Sequence, residues 1–122
     1  TLATVNMMSL FGLHRALRGA MVGHFAAIEI STGPSARRMA GALERLGAGG
    51  RATLFYTEHI EADAVHEQVL RRDVIGGLLE HEPELAADVV FGIQATELLE
   101  GRLTDHLLAR WDAGDDSLLK TG

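Results

Sequence analysis

Between residues 59 and 66 the sequence reads His-Ile-Glu-Ala-Asp-Ala-Val-His, which sets imidazoles at His59 and His66 around the carboxylate of Asp63. Successive residues of an α-helix turn by about 100°, so Asp63 stands about 40° from His59 and His66 about 20° to its other side. All three share one narrow stripe. A rise of about 1.5 Å per residue separates His59 from Asp63 by about 6 Å along the axis and Asp63 from His66 by about 4.5 Å, gaps that side chains can close onto one or two metal ions. Left unpartnered in a core, each such group costs roughly 1–3 kcal/mol. Neutral imidazole with carboxylate suits iron, manganese, nickel or zinc rather than calcium. The alternative is a buried His–Asp hydrogen bond with the second histidine turned to solvent; the apolar flanks Ala62 and Val65 favour ligation.

Glu29 is the second candidate. It interrupts the apolar run Phe25-Ala-Ala-Ile-Glu-Ile and shares a helical face with Phe11, Val22 and Phe25. Read alone, it either pairs with Arg37 or Arg38 or acts as a ligand. A buried glutamate facing a His-Asp-His stripe on another helix is the arrangement of carboxylate-bridged metal sites in helical bundles. The other titratable groups carry less: His14 and His24 on the first helix, His81 before a helix start, His106 late in the last helix, and Glu67 as a solvated or supporting neighbour of His66.

These residues need helices to position them, and the hydrophobic periods supply helices throughout. Leu10, Phe11, Leu13, Leu17, Met21, Phe25 and Ile28 recur at three- and four-residue spacings and predict one buried or half-buried helix from about Ala3 to Ile30. Ser31-Thr-Gly-Pro34 should end it, with Pro34 opening a short helix that runs from Ser35 to about Leu46 and stops at Gly47-Ala-Gly-Gly50. The next helix spans about Ala52 to Val69 or beyond. Its inner face is Phe55, His59, Ala62, Asp63, His66 and Leu70; Glu58, Glu61, Gln68 and Arg71 face solvent. Gly76-Gly77 should loosen a segment at Asp73 to Glu80. His81-Glu-Pro83 starts the last long helix, ending near Trp111, whose stripe Leu85, Val89, Val90, Ile93, Leu99, Leu103 and Leu107 forms core. The tail from Asp112 should fray. No strand-like alternation competes, and the expected fold is all-α.

The composition agrees and removes other classes. The chain has 122 residues, 47% hydrophobic and only 5% aromatic, as suits helices packed through Leu, Ala and Val. A formal net charge of −6 without a long basic run argues against nucleic acid as a partner. With no cysteine there is no disulfide, thiolate zinc site or cysteine nucleophile. No apolar stretch is long enough to predict a membrane span and no secretory signal is present, so the expected location is cytoplasmic. The chain begins with Thr1, as if processed or missing its start.

A glutamate in an apolar helix, about thirty residues, and then His-x3-Asp-x2-His resembles the haem-oxygenase-like diiron oxidases and oxygenases. The wording EHIEADAVHEQ, preceded by HFAAIEISTGPSARRMAGALERLG, is similar to the C-terminal half of the iron-containing redox enzyme family. The resemblance implies a haem-oxygenase-like helical bundle of which residues 1–122 form one helical unit, the C-terminal half of a larger domain. It implies two irons that activate dioxygen to oxidise a small acid or amine, with Glu29, His59, Asp63 and His66 as metal ligands and manganese or zinc as other occupants. That family also supplies a Glu-x6-His pair from an earlier helix, and no Glu here has a His seven positions later. The fragment's uncovered apolar face then implies a homodimer or association with the missing N-terminal half. The competing functions are a metal-dependent hydrolase and a metal-free helical interaction module.

Overall fold

The computed structural model describes residues 2–117; Thr1, on which the expectation of processing rested, lies outside them. Helix α1 spans Leu2–Leu13, α2 Arg18–Arg45, α3 Gly50–Val69, α4 Gly77–His81 and α5 Ala86–Asp112. No strand occurs among the described residues, so the all-α expectation holds. No helix among them is long and apolar enough to cross a membrane. The central element is α2, which packs against both α5 and α3.

The single helix expected from Ala3 to Ile30 is instead two. The chain leaves helical geometry at His14, whose φ of −115° and ψ of 108° are extended, and a 3-10 turn over Arg15–Leu17 leads into α2. With the break there, Phe11 is buried and meets Phe91 of α5 edge to face, ring centroids 6.0 Å apart. A tertiary contact outweighs the continuity that periodicity alone favours.

The second correction is the opposite case. Ser31-Thr-Gly-Pro34 does not end a helix: α2 runs through it, with Pro34 inside. Proline removes one backbone donor and disfavours a helix interior by about 3 kcal/mol, so something must hold the segment. Ser31 and Thr32 donate their hydroxyls to the Ile28 carbonyl at 3.0 and 2.7 Å, and Gly33 is buried where a Cβ would stand 3.7 Å from Asp63 Cβ. Packing of α3 over this stretch holds it helical. The true stop comes at Gly47, as the glycine cluster predicts. Its φ of +70° lets Gly47 N–H and Ala48 N–H bond back to the Glu44 and Leu43 carbonyls, both at 3.0 Å.

Apart from His24, the buried face of α2 is made of small residues. Gly19, Ala20, Gly23, His24, Ala26, Gly33, Ala36 and Ala40 are inside, whereas Phe25 and Ile28 are exposed. The α2–α5 contact explains the inversion: a Cβ on Gly23 would overlap the Val89 carbonyl, and one on Gly92 would overlap the Ala20 carbonyl. Backbones this close leave no room for large side chains between them. Of the stripe expected for the last helix, Leu85, just before α5, and Val89 are core as expected and Ile93, Leu99, Leu103 and Leu107 are half-buried, but Val90 is exposed. The inner face expected for α3 is likewise only partly covered: Asp63 and Leu70 are buried, while Phe55, Ala62 and His66 are exposed.

After α3 the backbone widens into a π-helical segment, Leu70–Gly76, before tightening again in α4. A 3-10 turn over Pro83–Leu85 then opens α5, close to the predicted start. Arg18, at the start of α2, forms an ion pair with Glu82 of this connection.

Candidate metal centre

Three of the four residues singled out by spacing converge. Glu29 comes from α2, Asp63 and His66 from α3, and one ligand atom from each lies within 4.8 Å of the other two. His66 Nδ1 stands 3.4 Å from Glu29 Oε2 and 3.5 Å from Asp63 Oδ1. Neither Glu29 Oε2 nor Asp63 Oδ2 is solvated, and neither has a hydrogen-bond partner. Asp63 is 5% exposed, while the His66 side chain keeps 59% of its surface. The group therefore has a buried carboxylate in Asp63, a half-buried one in Glu29 and an open imidazole side.

The position of Asp63 follows from its neighbours. It faces α2 at the buried Gly33, and Glu29 lies one turn earlier on α2. Each orphaned carboxylate oxygen costs roughly 1–3 kcal/mol unless something positive faces it. The proton on His66 can supply one such partner; a divalent cation supplies all of them at once. Two carboxylates and an imidazole are a donor set suited to iron, manganese or zinc. The residues present thus fit a metal ion.

His59 is not in that group. It lies one turn earlier on α3, where its Nδ1–H donates to the Phe55 carbonyl at 2.7 Å and its ring rests on Phe55 at a centroid distance of 4.1 Å. Donation from Nδ1 fixes the neutral tautomer that leaves the Nε2 lone pair free. His59 borders a hollow of about 160 Å³ with Ser31, Thr32, Ser35 and Tyr56.

The ion pair considered for Glu29 with Arg37 or Arg38 does not form: Arg38 donates to the Ser35 hydroxyl at 3.0 Å, and Arg37 borders a small hollow shared with Glu29, Asp63 and Glu67. Glu67 itself pairs with Arg71 at 2.9 Å. His14 and His106 are exposed, and His81 donates Nδ1–H to the Gly77 carbonyl at 2.8 Å.

His24 lies in the α2–α5 interface, 1% exposed. Thr96 donates its hydroxyl to the Gly92 carbonyl at 2.7 Å, so its oxygen accepts from His24 Nδ1–H at 2.9 Å. Nε2 is left without a partner. Burial pushes the His24 pKa below its ordinary value, opposed by the Glu100 carboxylate.

Periodicity did not reveal the trough beside the group. A cavity of about 440 Å³ has walls formed by Val22, Phe25, Val69, Leu70 and Val74, with Glu29 and His66 as its polar residues. Val22 and Phe25 were legible as neighbours of Glu29. Leu70 and Val74 enter through the π-helical segment Leu70–Gly76, which starts ahead of the loosening expected from Gly76-Gly77 over Asp73 to Glu80.

Two packed helices, α2 and α3, bring two carboxylates and an imidazole together, and that grouping defines a candidate metalloprotein. The chain belongs to the iron-containing redox enzyme family, whose model matches residues 1–101. Its fold is accordingly an all-α, haem-oxygenase-like bundle, and its general function is that of an iron-dependent redox enzyme. No curated protein and no solved structure matches the chain.

Proposed function

We propose that this chain is a non-haem iron oxidoreductase that uses dioxygen to oxidise a small acid or amine, with Glu29, Asp63 and His66 holding an iron ion. The observation that carries this reading is the pair of buried, unpartnered carboxylate oxygens converging with the His66 imidazole. Bound iron would supply the electron transfer to dioxygen that amino-acid side chains cannot. Asp63 and Glu29 offset its charge, and the buried position of Asp63 fixes that carboxylate in place. His66, exposed on one side, leaves the centre open toward the trough.

His59 belongs to the same proposal as a further ligand in a two-iron site. Its Nδ1–H bond to the Phe55 carbonyl supports this, because metal-bound histidines commonly orient their free nitrogen through such a bond. We further propose that residues 1–122 act as one helical unit of a larger haem-oxygenase-like domain that completes the ligand set.

Anaerobic titration with Fe(II), followed by exposure to oxygen with iron counted per chain, tests the reading. The expected result is stoichiometric iron, an optical change on oxygenation, and affinity lowered at least about tenfold in Asp63→Ala and Glu29→Ala. Substoichiometric iron that neither substitution alters would overturn it. Tight zinc binding without any oxygen-dependent change would point instead to hydrolysis.

A further inference from the structure

We propose that the trough beside Glu29 and His66 seats a substrate with an extended hydrocarbon body and one coordinating polar end, placed at the Glu29–Asp63–His66 group. This rests on the metal-centre reading for the polar end alone; the hydrocarbon body is argued from the walls.

The trough is about 440 Å³, within the range of small-molecule sites, and its walls Val22, Phe25, Val69, Leu70 and Val74 carry no hydrogen-bonding side chain. A polyol or a zwitterionic body lying there would lose its water without compensation. Glu29 and His66 are its only polar residues, and they belong to the ligand group. Glu29 Oε2 is buried at the edge of the trough, makes no hydrogen bond and faces His66 Nδ1 at 3.4 Å, so the polar end of the ligand belongs there. The hollow bordered by His59 is smaller at about 160 Å³ and mixes the hydroxyls of Ser31, Thr32, Ser35 and Tyr56 with the apolar Ala36, Met39 and Phe55. Of these two cavities, the one that adjoins the group is walled by hydrocarbon.

The π-helical segment gives the trough its length. In an α-helix a spacing of four residues overshoots one turn by about 40°, so His66, Leu70 and Val74 would drift around the helix. A wider turn over Leu70–Gly76 reduces that drift and keeps Leu70 and Val74 on the side that His66 occupies. Such widened turns are frequent at functional sites.

The test is calorimetric titration of the whole chain, metal-free and loaded with Zn(II), with n-alkyl carboxylates and n-alkylamines from butyl to decyl. Affinity should rise about fourfold per added methylene until the trough is filled. Zinc should strengthen binding of each series by a common factor. Val74→Phe should bring the plateau to a shorter chain and Val69→Ala should move it to a longer one, while zinc affinity stays the same in both. Absence of chain-length dependence, or a plateau indifferent to both substitutions, would overturn the proposal. Loss of self-association in Val74→Phe without any alkyl dependence would overturn it too, by assigning the trough to a second copy. If alkyl dependence persists while iron and zinc fail to bind, the metal-centre reading falls and the hydrocarbon seat stands.

Discussion

Asp63 presents a buried carboxylate oxygen without a hydrogen bond, and Glu29 presents another, 3.4 Å from His66 Nδ1. In the metal-free chain this geometry stores unfavourable energy, so Asp63→Asn, which removes the charge and adds a donor, should leave stability unchanged or raise it. The same substitution should abolish stabilisation by metal. At a metal concentration a hundredfold above Kd, binding to the folded state alone is worth about 2.7 kcal/mol. Thermal melts of both proteins with and without Mn(II) check this; equal metal-induced shifts would contradict it. At His24 the sign is set by burial. Its folded pKa lies below the unfolded value of 6.5, so the unfolded chain takes up the proton first. Stability should therefore be full above pH 6.5 and decline as pH falls from there toward the folded pKa, levelling off below it. Replacing His24 by Gln, which can still donate to Thr96, should flatten that part of the profile, as urea unfolding at stepped pH would reveal.

At the scale of helices, the α2–α5 crossing depends on backbone contact at Gly23 and Gly92. Gly92→Ala forces a Cβ into the Ala20 carbonyl and Gly23→Ala one into the Val89 carbonyl, so each should destabilise by about 3 kcal/mol or more. Gly101→Ala, on the same helix as Gly92 with open space around it, should stabilise by roughly 0.5–1 kcal/mol. Denaturant midpoints of the three variants separate a close-packed crossing from ordinary helix propensity. Pro34 makes the related point from the other side. Helix α2 passes through it where α3 packs against the segment at Gly33 and Ala36, so local breaking chemistry loses to packing.

For the whole molecule, the large apolar side chains outside the small-residue core are the dominant surface feature. Leu13, Leu46, Phe55, Val65 and Trp111 are each more than half exposed. Surfaces of this kind associate. Sedimentation across a concentration series should show reversible self-association of the isolated chain, reduced when Phe55 and Val65 are replaced by Gln; a monomer at every concentration would contradict this.

Helix content, the glycine stop after α2, the start of α5 and the three residues that converge as a candidate metal group were legible in the sequence, because each depends on local chemistry: periodicity, capping and the types of side chain that bind metals. Glu29, Asp63 and His66 announced themselves as polar groups in apolar company. Whether His59 joins them, which face of α2 is buried, where the first helix breaks and whether Pro34 ends anything were decided elsewhere. Those outcomes depend on how closely two backbones approach, and that distance is a property of the assembled bundle rather than of any segment read alone.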